Sequence, residues 1–486
     1  MAERALDEGV SAVGDVADRS RGFRRELGLG DLVLTQILYV VGSGWVGAAA
    51  KLGTSQIAYW VLAILLFYLP QAAVVIYLNR LMPLEGGLYQ WAKAGFNERT
   101  GFMVAWNVWA FMVILISAFG VAVANTLVYV LGPHWLWLAN NKWYDAGVTV
   151  ALIVGLMLVG TVGLRVGKWV HNAGGAMQLI VFGALIAMPY FALRRGTIAS
   201  YHPLAATLPA ASVLSLNIFG KMAVGALSGL ESVAILAGEC RNPLRSIRGS
   251  VILATPLIAV MFIIGTSAVM AVVPASRIDL ISPIPQALLA GLGSFGIAEF
   301  IVPLLALLLL VRHVADVNYI FTGNTRLPMV TGWDGMVPGW FTRLHPRFRT
   351  PVNSVVFVGA ITLALALVSL IGVGLQESFQ LLDNAAGILY ALSYLAMFAI
   401  PIFGLRRLGV RVPVWLKVVA ATGFAITVLY VVLSVLPIID VASWQIFAVK
   451  IIAVVVGANL VGVALLLSGE RRRRARVSRA TLAPGV

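Results

Sequence analysis

The stretch LLLLVRHVADVNYIF places Arg312, His313 and Asp316 deep inside an apolar run. Ionisable side chains in such a run are costly and mark pathways, proton relays or internal ion pairs. Arg312 and Asp316 are four residues apart and His313 and Asp316 three, so either pair can meet on one helix face. Two chemistries fit. Asp316 or His313 could exchange a proton or hold a substrate amine, histidine being the side chain that titrates most readily near neutrality. Equally, Arg312 and Asp316 could be a satisfied ion pair tying helices together. Only the first makes activity depend on pH through these residues. A further carboxylate, Glu231, follows the glycines of VGALSGLES, where it could titrate with a bound substrate or hydrogen-bond exposed backbone. Asn318, on the same run as Asp316, joins Glu231, His313 and Asp316 as a coupling or gating candidate. Asp383, in LLDNAAGILYAL, reads as a helix-start residue and His171 as interfacial. Glu85 reads as loop packing, and Glu239 with Arg241 and Arg245 as the ion-paired end of a helix.

The elements that must position these groups are apolar segments running almost continuously from Leu32 to Leu467. Of the 486 residues, 60% are hydrophobic and 11% charged. Soluble domains carry about 25% charged residues, so this apolar excess needs lipid as its partner. A hydrocarbon core takes about 20 apolar residues per helix. Twelve segments qualify: 31–51, 57–79, 102–132, 145–165, 171–193, 213–238, 249–273, 296–322, 353–373, 379–404, 414–437 and 445–468. The strict alternation of a membrane strand is missing. The expected fold class is an all-α membrane protein of about 12 transmembrane helices.

An even number of spans puts both termini on one side. Taking that side as cytoplasmic, 27 Lys and Arg fall on it, 5 on the other (Lys51, Lys142, Arg194, Arg195 and Arg277), and Lys221, Arg312 and Lys450 within spans. That bias follows the positive-inside rule and gives an inner-membrane, multi-pass protein with both termini cytoplasmic. The net charge of +15 is therefore topology and not a nucleic-acid footprint, and the run Arg471–Arg474 reads as an anchor to anionic lipid. Trp135, Trp137, Trp143 and Tyr144 suit an aromatic headgroup belt. Cys240 is the single cysteine, so neither a disulfide nor a cysteine metal cluster is expected; no metal or other cofactor is called for. No phosphate-binding P-loop occurs, which speaks against ATP as the energy source.

The first five spans overlay the next five, and because five is odd the second set enters from the opposite side. Inverted repeats of this kind build secondary transporters, whose sites form where discontinuous helices meet at the midplane. The overlay expects spans 1 and 6 to be broken at similar depth. In VVGSGWVG, Gly42, Ser43 and Gly44 lie about three turns in from Asp31; in VGALSGLES, Gly225 lies about three turns in from Val213, with Gly229 one turn later. Each glycine weakens a helix by about 1 kcal/mol relative to alanine. Unwound backbone at that depth is tolerated only when buried in protein or lining a cavity. Freed N–H groups at the second half of span 1 would favour an anion, and freed carbonyls of span 6 an ammonium. A zwitterionic amino acid offers both. The competing reading is that these glycines merely allow close helix packing.

The organisation expected is a tail over 1–26, a core over 27–405 with repeats 31–193 and 213–405, two further helices over 406–468, and a basic tail over 469–486. With VVGSGWVG in span 1, PLEGGLYQW in the first cytoplasmic loop, GFMVAWNVW opening span 3, SGLESVAILAGECRNPLRSI across the end of span 6, and DGMVP with HPRFRTP after span 8, the chain resembles the amino acid–polyamine–organocation permeases. The resemblance implies the leucine-transporter-type fold of five plus five helices. It implies substrate carboxylate binding around Val41, Gly42, Ser43 and Gly44, amine binding at Gly225, Ala226 and Ser228, a pocket-facing Trp109, and a gating role for Glu231. Two departures stand out. Several relatives carry a gating aromatic where this chain has Gly225. Relatives that couple to protons through a lysine in span 5 have it where Gln178 falls, and a glutamine cannot switch a proton. The function expected is secondary transport of an amino acid by proton symport or exchange, the partners being a small molecule, the bilayer and a proton. The alternatives are a polyamine or organic-cation exchanger and, less well supported, an acyltransferase using His313 or a channel.

Overall fold

The computed structural model describes residues 28–82, 87–162, 168–231, 243–293, 296, 298–330, 338–341, 343–348 and 350–482. Helix α1, Leu29–Val40, begins where the Gly28 amide donates to Asp31 Oδ2 at 2.8 Å. It stops at Val41 and Gly42, and α2, Ser43–Ala50, leaves at an angle of 50°. The first half continues through α3, Gly53–Leu81, the short α4, Leu88–Gly95, then α5, Glu98–Leu131, α6, Lys142–Val162, and α7, Lys168–Arg194. Helix α5 starts at Asn97, whose side chain accepts from the Thr100 amide at 2.9 Å, a donor that a helix start otherwise leaves unmet.

The second half opens with α8, Val213–Ala226, capped by Ser212 accepting from the Ser215 amide. It goes on through α9, Pro243–Val272, the short α10, Pro283–Leu292, α11, Ala298–Val330, α12, Val352–Ser369, and α13, Leu375–Ile402. Helices α14, Val414–Leu433, and α15, Trp444–Leu482, complete the chain. Two stretches are π-helical, Ile64–Tyr68 in α3 and Lys221–Ala226 ending α8, and they pack against each other.

Among the described residues ten helices are long and apolar enough to cross a bilayer, and the bent pair α1–α2 makes eleven. The expected twelve is not reached because segment 213–238 is described as helix only over Val213–Ala226, and 232–242 lie outside the described residues. Two boundaries also differ. Helix α13 begins at Leu375, so Asp383 lies two turns inside it and does not start it. Helix α15 runs on through the basic stretch, held by Arg473 on Glu98 at 3.0 Å and by Glu470 on Arg99 at 2.7 Å. Glu85, Glu239 and Arg241, the segment 331–337 and the side chains of His171 and Arg245 lie outside the described residues.

Packing divides the apolar side chains into two bodies. One joins α1, α2, α3, α7, α8 and α9 around Trp60, Phe67, Phe182, Met222 and Phe262. The other joins α5, α11, α12 and α15 around Trp106, Phe321, Val358 and Phe447. Helix α13 serves both, giving Leu382 and Leu389 to the second and Tyr394 and Phe398 to the first. Close approach of α7 to α1 depends on small residues: a β-carbon on Gly175 would lie 2.6 Å from the Leu34 carbonyl oxygen. Buried polar side chains cross-link the first body, Gln36 to Ser250 at 2.7 Å and Trp60 Nε1 to Thr266 at 3.2 Å.

Candidate functional site

At the end of α1 the chain leaves helical geometry for two residues, Val41 (φ −86°, ψ 81°) and Gly42 (φ −76°, ψ 135°). A helix end exposes carbonyls that need donors. Gln178 of α7 donates to the Val41 carbonyl at 2.7 Å, and Arg312 of α11 donates to that of Leu38 at 2.8 Å. Arg312 also lies 3.6 Å from Asp316 Oδ2, both side chains buried. The ion pair is therefore present and has a second task, since a guanidinium at a helix C-terminus meets the negative end of its dipole. Past the break, α2 starts with no side-chain cap, which leaves the amides of its first turn, Ser43 to Trp45, without a side-chain acceptor. Ser43 Oγ lies 3.3 Å from His313 Nε2, and the His313 ring meets Phe119 edge-on at 6.0 Å.

At the other break, the π turn Lys221–Ala226 gives way through Leu227 to Ser228 and Gly229, with Gly229 at φ +109°. That left-handed conformation suits a residue without a β-carbon. The Gly229 amide donates to the Tyr394 hydroxyl at 2.8 Å. Glu231 is buried and accepts from the hydroxyls of Tyr390 and Tyr394 of α13 and from Gln71 Nε2 of α3 at 3.3 Å. Gln71 also reaches the Tyr394 hydroxyl at 2.6 Å, and Tyr390 stacks on Phe111 of α5 at 4.2 Å and 3°. An ionised carboxylate only accepts, whereas a protonated one must also donate. A proton arriving on Glu231 therefore obliges one tyrosine hydroxyl to turn, and Tyr394 is the one that also holds the Gly229 amide.

The two breaks meet at one side chain. A β-carbon on Gly42 would come within 2.7 Å of the Trp45 ring, and one on Gly225 within 2.5 Å of it. Nearby, Lys221 is fully buried and donates to Asn384 Oδ1, with Asp383 in electrostatic reach. Of the expected site residues, Gly42, Ser43, Gly44 and Gly225 thus line the junction, and Ala226, Ser228 and Glu231 follow it. Val41 is not free to bind: its side chain is buried and its carbonyl is engaged by Gln178. Trp109 is turned away, stacking on Trp106 at 5.2 Å and Phe357 at 6.4 Å within the second apolar body. Phe111, about 200° further around α5, faces the junction instead. Asn318 is buried with its side-chain oxygen unpartnered among the described residues. Gln71, Tyr390, Tyr394 and Trp45 were not singled out as site residues. The one available signal was the spacing of Tyr390 and Tyr394, four apart on one face of α13.

Over the start of α2 lies the connection between α9 and α10: the Leu280 carbonyl would be 3.3 Å from a β-carbon on Gly44. This connection is held by Asp279, which accepts from the Ile281 amide at 2.8 Å and from Gln376 Nε2 of α13. Burial raises the Asp279 carboxyl above the usual carboxylate range, partly opposed by these hydrogen bonds.

Comparison with known proteins places this geometry. The family model described as amino acid permease matches residues 28–458. An uncharacterised transporter of Legionella pneumophila is 26% identical, over 77% of this chain and 80% of its own length. A probable agmatine/putrescine antiporter, AguD of Lactococcus lactis, is 22% identical, over 82% of this chain and 84% of its own. Among solved structures, MhsT in complex with L-phenylalanine superposes with a TM-score of 0.58 at 14% identity, covering 85% of this chain and 99% of that one; the likeness is one of fold.

Proposed function

Because this chain belongs to the amino acid permease family, we propose that it carries an α-amino acid across the inner membrane by alternating access, with proton symport or exchange. The chain is a multi-pass secondary transporter; the finer reading rests on the uncapped start of α2 facing the α8 break across Trp45. The first-turn amides at Ser43 and Gly44 favour a carboxylate. The backbone carbonyls near Gly225, Ala226 and Ser228, at the negative end of α8, favour an ammonium. Glu231 is the coupling group in this reading and His313 contributes through Ser43, whereas Asp316 serves Arg312. The core spans 27–405 as inverted repeats 31–193 and 213–405, followed by helices within 406–468, and both termini are cytoplasmic, as the bias of Lys and Arg supports. Neither ATP nor nucleic acid takes part.

A second reading, exchange of a polyamine or other organic cation, draws on the likeness to the agmatine/putrescine antiporter. It needs carboxylates lining the pocket; Glu231 can serve, but Asp316 is already paired with Arg312. The purified protein, screened by thermal shift against amino acids and polyamines, should be stabilised by its substrate, since a ligand of the folded state shifts unfolding. Counterflow of the same compound in proteoliposomes then separates carrier from channel. Unsaturable flux without counterflow, or no stabilisation by any compound of either class, defeats the proposal.

A further inference from the structure

The Trp45 indole occupies the space that side chains on both breaks would otherwise fill. Its pyrrole edge faces Gly42, where a β-carbon would lie 2.7 Å from Cδ1 and 2.8 Å from Nε1. Its benzo edge faces Gly225, where a β-carbon would lie 2.5 Å from Cη2, 3.0 Å from Cζ3 and 3.1 Å from Cζ2. Two glycines from different halves of the chain thus form a slot of indole thickness. Clearances under 3.0 Å mean that neither glycine can gain a methyl group while the ring stays. The ring is not sealed in. Trp45, Gly42, Gly44, Gly225 and Gly229 are each half-buried although they lie at the junction of the bundle, whereas Val46, Ala226 and Leu227 beside them are buried. One side of the indole therefore borders open space between the half-helices.

We propose that Trp45 is the wall that sets the size of substrate the site admits, restricting it to amino acids or amines with short side chains. This rests on the carrier reading above. A pocket bounded by the two breaks has its backbone contacts in common for every α-amino acid, so discrimination must come from the space left beside them. Here that space is taken by an aromatic ring on α2, and the facing residue of α8 has no side chain. Bulk on one half-helix requires its absence on the other. A residue of this kind is expected to tune discrimination by about 1–3 kcal/mol per methylene-sized change in substrate.

The test is a size series of amino acids, from glycine to phenylalanine, with the native chain, Trp45→Ala, Gly225→Ala and the exchanged pair Trp45→Ala/Gly225→Phe. With Trp45→Ala, KM for the bulky members should fall at least tenfold relative to glycine, with maximal rate little changed. Gly225→Ala should raise KM throughout the series, and the exchanged pair should restore the native preference for short side chains. A purely structural role for Trp45 would lower rates for all substrates together and leave their ratios alone, which would overturn the proposal. A second measurement is independent of transport. In a Cys240→Ser background carrying Ser228→Cys, a charged methanethiosulfonate reagent is applied to vesicles from the face toward which α2 runs. Trp45→Ala should accelerate labelling at least tenfold, and an unchanged rate would also overturn the proposal. If the native chain moves no amino acid or amine yet labelling accelerates, the carrier reading falls while the wall stands.

Discussion

The two breaks are finished by different chemistry. At the α1–α2 break the exposed carbonyls meet Arg312, which keeps its charge at any physiological pH, and the amide of Gln178, which has none to lose. At the α8 break the exposed Gly229 amide meets a tyrosine hydroxyl that is shared with a carboxylate. The first arrangement is indifferent to protons and the second is not. Coupling of transport to a proton therefore belongs to the α8 side, and the α1 side is the fixed abutment against which it moves.

The largest expected effect tests the abutment. Arg312→Met leaves Asp316 buried without its partner and the Leu38 carbonyl without its donor. Losing one member of a buried pair costs about 3–5 kcal/mol, so this variant should lose most of its thermal stability, and Arg312→Met/Asp316→Leu should regain it. A stable single variant would mean the pair is dispensable. On the mobile side, Glu231→Gln should keep the fold and exchange but abolish uptake driven by a pH gradient. Uptake that still follows the gradient would move coupling elsewhere, with His313 the next candidate. Tyr394→Phe removes the hydroxyl shared by Glu231, Gln71 and Gly229 and should cost about 1.5–3 kcal/mol, the range for hydrogen bonds to charged groups. Tyr390→Phe, which touches Glu231 alone among these, should cost less. Gln178→Leu leaves one buried carbonyl unmet and should lower stability by about 1–3 kcal/mol without changing the pH profile of transport. If that profile does change, the contrast between the breaks fails.

The smallest effect lies outside the spans. Burial raises the Asp279 carboxyl, so the folded connection favours its protonated form. Its contribution to stability is complete below the ordinary carboxylate value and is lost as pH rises through the raised one. Melting followed between about pH 4 and 8 should show that limb in the native protein and a flatter one in Asp279→Asn.

Much of the fold was legible because lipid imposes a simple rule: long apolar runs are helices, and their basic flanks report sidedness. Gly42 and Gly225 could be picked out for a similar reason, since paired glycines in such runs conflict with helix formation. What finishes each break could not. Glu231 and Tyr394 are 163 residues apart and Arg312 and Leu38 are 274 apart, so periodicity can give the face each occupies but not the partner it finds. Trp109 shows the cost of reading a face from a motif: the aromatic that reaches the junction is Phe111, half a turn and more away around α5. Asp383 was misread because an apolar window starts where hydropathy rises, while α13 begins earlier in the more polar sequence LQES.

The π turn at Lys221–Ala226 carries a consequence for anyone editing this chain. A π turn lodges one surplus residue in a helix, and removing it rotates everything beyond by about 100° and draws it in by about 1.5 Å. A single-residue deletion here would thus act as a screw motion of the Ser228–Glu231 segment, turning the carboxylate from its tyrosines without altering any of them.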